Sequence, residues 1–293
     1  MKSTPFFFVG VDGGGTKCTV RVEDENGSLV DKIVGGPANI RLSVSDAWTS
    51  IFESLKKIFH KQGLLFSETV CHLSLGLAGL EIKEAYQAFI QYPHNFKTLI
   101  VNSDAHIACL GAHAGEDGAI IIVGTGVVGY QLEQKKYSKI SGYGFPHDDI
   151  GGGAWIGLKA VQATLQALDG RMSYSSLVDA IYANFNRDLS TFVTWANRGN
   201  ATAFASLAPI VVQQSQLGNE TSIHILKEAA IALLSVHQAL QLKQKTKKQL
   251  PVALVGGLST MLLPYLPQYF RKYLVIPKMS PEEAAIFLLR QQY

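Results

Sequence analysis

The feature that most constrains this chain is an apolar strand that ends in one acid and three consecutive glycines. Residues 6–11 are an apolar run, and residues 19–23 alternate apolar and polar side chains as a second strand does. The turn between them reads Asp12-Gly13-Gly14-Gly15-Thr16-Lys17. Backbone N–H groups of such a turn can approach a phosphate closely, and Thr16 adds a hydroxyl donor. Asp12 can hold Mg²⁺ through waters, since Mg²⁺ prefers oxygen ligands and keeps part of its hydration shell. The alternative is a structural hairpin, which seldom needs three successive glycines.

The same plan recurs in the middle of the chain. Residues 119–123 are apolar, Gly124-Thr125-Gly126 follows, and residues 127–132 continue as a strand. The helical period covers residues 44–59 before this unit and four stretches after its strands: residues 154–168, 174–185, 204–216 and 220–242. A chain of 293 residues is long for a single core. We therefore predict an α/β fold with two sheet-based domains that join near residues 111–118.

The composition excludes several classes of partner. Hydrophobic residues make up 47% and charged residues 17% of the sequence, and the net charge is +3. A charge this small does not indicate a nucleic-acid or membrane partner, and no stretch approaches the roughly 18 apolar residues of a membrane span. Residues 1–11 lack a long apolar signal region and are interpreted as a buried strand. Cys18, Cys71 and Cys109 lack close spacing, which predicts reduced, buried thiols in a cytoplasmic protein.

The second glycine turn has an alternative interpretation. With Gly129 it forms the G-x-G-x-x-G pattern of dinucleotide-binding folds, which requires a helix directly after the glycines. Residues 127–132 have the pattern of a strand, so a phosphate-binding hairpin is favoured. A third glycine motif, Val255-Gly256-Gly257-Leu258, follows another strand and permits close backbone approach to a nucleoside. A plain turn into a helix is its alternative.

Two further segments carry acids where ligands could bind. Asp104 follows an apolar strand and opens a helix, and active-site groups collect at such strand ends in α/β sheets. Its alternative role is a helix cap. Residues 142–155 form a glycine-rich loop in which Asp148 and Asp149 could accept hydrogen bonds from sugar hydroxyls. His147 beside them suggests a metal site, but no other histidine is placed by the sequence to complete it.

Taken in order, these motifs resemble the bacterial glucosamine and N-acetylglucosamine kinases, in the group that also includes the benzoyl-CoA-reductase-type ATPases. The resemblance covers nearly the whole chain, and its specificity lies in the order and spacing of the motifs. It is carried by Asp12-Gly13-Gly14-Gly15-Thr16, Asn102-Ser103-Asp104-Ala105, Gly124-Thr125-Gly126 and Val255-Gly256-Gly257.

The resemblance implies two actin-like (ribonuclease-H-like) domains, each a mixed sheet with helices, and an ATP cleft between them. The domains would span residues 1–113 and 114–280, with a C-terminal helix at 281–293 that packs back on the first. The implied activity is transfer of the γ-phosphoryl of ATP to the 6-hydroxyl of N-acetylglucosamine or glucosamine. The implied enzyme is cytoplasmic. Whether it forms a homodimer is left open by the resemblance.

The resemblance also assigns residues to ligands. It implies that Asp104 is the base that faces the acceptor hydroxyl, and that Asp12 serves Mg²⁺. It places the amino sugar at Asn39, Asp104, Gly144 and Asp149. It places ATP at Gly13, Gly14, Gly15, Thr16, Lys17, Gly124, Thr125, Gly126, Gly256 and Gly257.

Two departures from the family pattern bear on the substrate. Val127 stands where a serine commonly follows Gly-Thr-Gly, and Ile150 stands where a glutamate often follows the sugar-binding aspartate. Ile150 cannot replace the hydrogen bonds of a glutamate, so an altered sugar pocket is expected. Two other functions stay open: an ATPase activator of the benzoyl-CoA-reductase type, which would need a cysteine-bound iron–sulfur cluster, and a non-catalytic sugar-sensing module.

Overall fold

The structure is a computed structural model that describes residues 5–246 and 249–292. The chain divides into two compact units, the first Met1–Glu116 with Pro277–Tyr293 and the second Asp117–Ile276. Each unit is an α/β layer structure built on its own sheet. Tyr293, the last residue of the predicted C-terminal helix, lies outside the described residues.

The first unit is built on a mixed sheet with strand order β3-β2-β1-β4-β5. β1 pairs antiparallel with β2 and parallel with β4, and β4 pairs parallel with β5. The carboxyl ends of β1, β4 and β5 therefore meet at one edge of the sheet. The strands are β1 Phe7–Gly13, β2 Cys18–Asp24, β3 Leu29–Gly35, β4 Cys71–Leu77 and β5 Thr98–Ser103, and the helices are α1 Val44–Lys61, α2 Lys83–Ile90 and α3 Asp104–His113.

Alternation along β1 divides its side chains between two layers. Val9 and Val11 lie in the core that α1 closes with Trp48 and Ile51. Phe8, Gly10 and Asp12 share the opposite face, because side chains two residues apart point the same way. The acid thus lies at the end of a row that is otherwise covered by helices.

The second unit has a smaller sheet and a larger helical part. Its strand order is β8-β7-β6-β9, with β6 antiparallel to β7 and parallel to β9. The strands are β6 Gly118–Val123, β7 Val127–Glu133, β8 Lys136–Ser141 and β9 Val252–Val255. The helices are α4 Gly153–Leu168, α5 Ser176–Ala183, α6 Leu189–Arg198, α7 Ala201–Ala205, α8 Ala208–Gln216, α9 Glu220–Lys243, α10 Ser259–Leu262 and α11 Gln268–Arg271.

The last helix, α12 Pro281–Arg290, belongs to the first unit. Ser280 and Glu283 form a capping box at its start. Its first turn lies directly on β1 and α3: a Cβ at Gly10 would collide with the carbonyl oxygen of Glu282, and one at Gly111 would lie 2.9 Å from that of Met279. Glycine at both positions lets α12 approach the strand that carries Asp12 and the helix that begins at Asp104.

Among the described residues, α9 alone is long and apolar enough to cross a membrane by length and composition. The apolar runs of the sequence do not predict such a segment. Residues such as Ile225, Ala229, Leu233 and Leu240 place one face of α9 in the buried core of the second unit. That burial is typical of a core helix, for which the same composition is ordinary.

Two helical segments differ from the sequence prediction. Residues 204–216, predicted as one helix, form α7 and α8 with a break at Ser206 and Leu207, and Pro209 lies in the first turn of α8 where its missing N–H costs nothing. The prediction also lacked α6, whose start is capped by Asp188 accepting the Thr191 N–H. Phe192 is the buried residue of that helix, while Leu189 and Val193 are exposed.

Candidate active site

Two carboxylates lie at the edge of the first sheet where its parallel strands end. Asp12 pairs with Gly76 on β4, and Gly76 pairs in turn with Asn102 on β5, two residues before Asp104. The two acids are close enough for the charge of Asp104 to act on Asp12. The sheet thus brings together two residues that are far apart in sequence.

Asp104 does not cap its helix. The N-cap is Ser103, whose hydroxyl accepts the His106 N–H at 3.1 Å. Asp104 is the first helical residue, is half-buried, and accepts the N–H of Ala105 at 2.8 Å. The alternative role of Asp104 as a helix cap is therefore wrong, since the preceding residue, Ser103, is the N-cap.

The electrostatic environment of Asp12 is strongly negative. Its pKa is raised from 3.8 to about 7, first by burial and then by the negative charges of Asp104 and Glu282, while Lys17 lowers it. Glu282 comes from the first turn of α12, is buried, and forms an ion pair with Lys32 at 2.8 Å. Glu282 is not predictable as a site residue from the sequence, because it has only the pattern of an ordinary acid in the first turn of a helix.

We expect Asp12→Asn to stabilise the ligand-free protein above neutral pH. Because the pKa of Asp12 is raised in the folded state, its carboxyl destabilises the native protein increasingly as the pH rises from about 4 through 7. The resulting loss in the free energy of unfolding is at most about 4 kcal/mol. The amide carries no charge to repel Asp104 or Glu282. Thermal unfolding in chelator without nucleotide should show a larger gain in Tm at pH 8 than at pH 5.

Asp148→Asn is the matched control, for which the opposite change in Tm at pH 8 is expected. Burial raises the pKa of Asp148, but bonds from the Tyr143 N–H and the Ser141 hydroxyl outweigh it and leave the pKa lowered. The charged form is thus favoured in the folded state, and its removal should cost stability at pH 8. Equal Tm gains for Asp12→Asn at both pH values would contradict the assigned environment of Asp12.

The first glycine turn contains both close-packed and open glycines. A Cβ on Gly13 would lie 2.6 Å from Leu77 Cδ2, so the fold itself requires glycine there. Gly14 and Gly15 have room for a Cβ, and neither has a left-handed φ. The Gly14 N–H closes the turn onto Lys17 O at 3.0 Å. Within the described residues no hydrogen bond engages the N–H groups of Gly15 and Thr16, which leaves two adjacent donors at an exposed turn.

Asn39 lies beside this turn. The Ala38 N–H donates to Gly14 O at 2.9 Å, and a Cβ on Gly15 would lie 3.8 Å from Asn39 Nδ2. The Asn39 side-chain oxygen accepts the Arg41 N–H at 3.0 Å, which fixes the amide. The first unit therefore groups Asp12, the glycine turn, Asn39 and Asp104, the four elements that sequence reasoning selected there.

The second unit repeats this arrangement at the β6–β7 turn. The Gly124 N–H closes the turn onto Gly126 O at 3.0 Å, and within the described residues no hydrogen bond engages the next two N–H groups, those of Thr125 and Gly126. Gly124 has open space where a Cβ would lie, whereas Gly126 is blocked by the Asp149 carboxylate at 2.5 Å. Because β7 follows directly, the dinucleotide alternative, which needs a helix, is wrong.

The motif after β9 lies next to this turn. Gly256 has a φ of +99°, and a Cβ on it would collide with the carbonyl oxygen of Val123, so glycine is required. The Leu258 N–H donates to Val123 O at 3.1 Å, and Gly257 has open space. The third glycine motif thus has one close-packed and one open glycine, both exposed at the end of β6.

The two adjacent acids of the 142–155 loop have different surroundings. Asp148 accepts the Ser141 hydroxyl at 2.9 Å, from the end of β8, and the Tyr143 N–H at 2.9 Å, from its own loop. Asp149 points instead to the glycine turn and accepts the Val127 N–H at 3.2 Å. Gly144 has open space beside its Cα. Val127, one of the family departures, is fully buried, so its side chain belongs to the core.

Other candidate positions do not join these groups. No cluster of three histidine, cysteine or acidic side chains that could hold a metal ion occurs among residues 5–246 and 249–292. Cys18, Cys71 and Cys109 are all buried. Ile150 is 48% exposed and lines a cavity of about 270 Å³ with Tyr143 and Asp148. A cavity of about 550 Å³, beside Trp195 and Arg198, contains none of the predicted site residues.

Comparison with known proteins confirms the resemblance. The glucosamine kinase of Vibrio cholerae is 33% identical over 96% of this chain and 94% of its own length. The N-acetylmuramic acid/N-acetylglucosamine kinase of Clostridium acetobutylicum is 28% identical over 92% of this chain and 90% of its own. A Chromobacterium violaceum structure described as a candidate N-acetylglucosamine kinase superposes with a TM-score of 0.91 at 31% identity, over 97% of this chain and 99% of that one.

The family assignment follows from a match over most of the sequence. The profile of the BadF/BadG/BcrA/BcrD ATPase family covers residues 9–285, which includes all the glycine motifs and both carboxylates of the first sheet. The predicted α/β class, with two mixed sheets and helices as in actin-like ATPases, is confirmed. This chain belongs to the BadF/BadG/BcrA/BcrD ATPase family.

Proposed function

We propose that this chain is an ATP-dependent amino-sugar kinase that transfers the γ-phosphoryl group to the 6-hydroxyl of glucosamine or N-acetylglucosamine. The observation that carries the proposal is the pair Asp12 and Asp104 at the end of parallel strands, beside a turn with two open N–H donors. The relatives named as glucosamine and N-acetylglucosamine kinases support the substrate class.

Asp104 is the residue proposed as the general base. It is fixed at the start of α3 by the Ala105 N–H, and a half-buried carboxylate can accept the proton of a hydroxyl that attacks phosphorus. Asn39 is a further proposed sugar ligand, and Gly144 and Asp149 are the sugar ligands proposed in the 142–155 loop. The sugar hydroxyls would be oriented by acceptors and donors that the loops hold in place.

The glycine turns supply donors for charge that develops on the phosphates. Preorganised N–H groups stabilise such charge without reorganisation at the moment of reaction. Gly15, Thr16, Thr125 and Gly126 offer those groups, and Lys17 adds a positive charge. Gly257, the exposed glycine of the third motif that has open space beside its Cα, would leave room for the nucleoside.

The residues present fit a magnesium ion. Asp12 is an oxygen donor whose ionised form is disfavoured by burial and by two neighbouring acids, and a divalent cation would relieve that repulsion. Asp12 would hold the ion through waters of its hydration shell. When bound, Mg²⁺ would supply charge neutralisation at the phosphate oxygens.

A coupled ADP-release assay tests the proposal. Glucosamine, N-acetylglucosamine, glucose and N-acetylmannosamine should be compared at fixed MgATP, and an amino sugar should give the highest kcat/KM. The control is the same assay without sugar, which should show little ADP. If a sugar binds in calorimetry but none raises ADP release, the chain is a sensing module and the kinase proposal is wrong.

A further inference from the structure

We propose that Asp149 is a positioning residue for the nucleotide as well as a sugar ligand, because it joins the sugar loop to the β6–β7 glycine turn. The inference rests on the proposed function, in which that turn binds phosphate and Asp149 binds the sugar. A residue that only bound sugar would leave nucleotide affinity unchanged when replaced. Here its loss is expected to weaken nucleotide binding even with no sugar present.

The direct contact involves the turn itself. Asp149 Oδ1 accepts the N–H of Val127, the residue that ends the turn and begins β7, at 3.2 Å. The carboxylate also fills the space beside Gly126, where a Cβ would lie 2.5 Å from the Asp149 carboxyl carbon. The same carboxylate therefore holds the turn by a charge-assisted hydrogen bond and by van der Waals contact.

Backbone bonds extend this contact along the loop. The Gly153 N–H donates to Gly124 O at 2.8 Å, and the Ala154 N–H donates to Thr125 O at 2.9 Å. A Cβ on Gly152 would lie 2.8 Å from Thr125 O, so the loop lies directly on the turn. The carbonyl groups of the turn are thus fixed by α4, while Asp149 fixes the turn at its last N–H.

The backbone of Asp149 is adapted to this orientation. Its φ is +62°, in the left-handed region that aspartate and asparagine tolerate better than most residues. Asp148, by contrast, makes its bonds to Ser141 at the end of β8 and to Tyr143 in its own loop. The two acids have separate tasks, since Asp148 shapes the loop and Asp149 ties it to the turn.

Coupling between the two substrates follows from this geometry. A sugar that orders the Asp149 carboxylate also orders the turn with its Thr125 and Gly126 donors. By linkage, the nucleotide must then favour sugar binding by the same factor.

A pair of variants separates positioning from sugar binding. Asp149→Asn keeps an oxygen acceptor for the Val127 N–H and suits the left-handed backbone, but loses the charge that favours sugar hydroxyls. Asp149→Gly also suits the backbone and removes the acceptor altogether. Thermal unfolding of both variants verifies that the comparison is made on folded protein.

ADP affinity measured by calorimetry without sugar is the deciding readout. Asp149→Gly should weaken ADP binding by about 10-fold, whereas Asp149→Asn should stay within about 3-fold of the parent. Amide exchange at Val127 should be faster in the glycine variant and near the parental rate in the asparagine variant. ADP affinity and Val127 exchange both unchanged in Asp149→Gly would overturn the proposal.

The outcome is separable from that of the proposed function. If the parent binds ADP but phosphorylates no amino sugar, the kinase proposal fails while ADP affinity and Val127 exchange still test the role of Asp149. If the parent is an amino-sugar kinase and Asp149→Gly loses only sugar affinity, the positioning role alone is wrong. A further variant, Gly126→Ala, places a methyl group where the Asp149 carboxylate lies and so displaces that carboxylate. It should reproduce the loss of ADP affinity.

Discussion

Replacing Asp104 by asparagine is expected to slow phosphoryl transfer by about 10²–10⁴-fold, the usual contribution of a general base. The asparagine side-chain oxygen can still accept the Ala105 N–H, and Ser103 still caps α3, so the fold and the sugar contacts should persist. What the amide cannot do is take the proton of the acceptor hydroxyl. The loss should therefore appear in kcat, with the sugar dissociation constant changed by only a few-fold.

Single-turnover kinetics and sugar calorimetry on the same preparation separate these effects. Asp46→Asn is the matched control, since Asp46 is likewise an acid in the first turn of a helix, α1, and has no place in the proposed site. Its turnover should equal that of the parent. A kcat for Asp104→Asn within a few-fold of the parent would mean that Asp104 is not the base.

Gly14→Val is expected to lower nucleotide affinity by at least about 100-fold. The fold leaves room for a Cβ at Gly14, with Lys17 O at 3.5 Å, and φ is outside the left-handed region. The valine side chain should therefore hinder a ligand that approaches the turn from solvent. A branched side chain beside the N–H donors of Gly15 and Thr16 keeps a phosphate at a distance. Calorimetric titration with ADP and with ATP measures the effect.

The graded variant Gly14→Ala is the comparison for this prediction. Its single methyl group should cost less nucleotide affinity than valine, and both variants should unfold near the parental Tm. If Gly14→Val binds ADP as the parent does, the turn is a structural hairpin and phosphate binding must be assigned elsewhere. A large fall in Tm for both variants would likewise contradict the open space seen at Gly14.

Sequence alone predicted the parts of the site that depend on local pattern. An apolar run followed by an acid and glycines indicates both where a strand ends and where a turn begins. Asp12, the two glycine turns and the position of Asp104 at a strand end are therefore predictable from the sequence. The parallel pairing of β1, β4 and β5 then brings Asp12 and Asp104 to one edge. Those residues are predictable because strand ends in such sheets converge.

Contacts between distant segments could not be predicted in this way. Glu282 looks like any first-turn helix acid, yet the close approach of α12 at Gly10 and Gly111 buries it where its charge acts on Asp12. The bond from the Val127 N–H to Asp149 also has no sequence signal, since a main-chain donor is present in every residue except proline. Val127 itself was noted for a missing hydroxyl, whereas the structure buries its side chain and uses its N–H.

The central claim is that this chain moves a phosphoryl group from ATP to an amino sugar. The most direct measurement is ³¹P NMR of a reaction mixture that contains the protein, MgATP and glucosamine or N-acetylglucosamine, with mass spectrometry of the sugar product. A 6-phosphorylated amino sugar should form in a one-to-one ratio with ADP, and its rate of formation should fall by about 10²–10⁴-fold with Asp104→Asn. ADP that accumulates with inorganic phosphate and no phosphorylated sugar would contradict it.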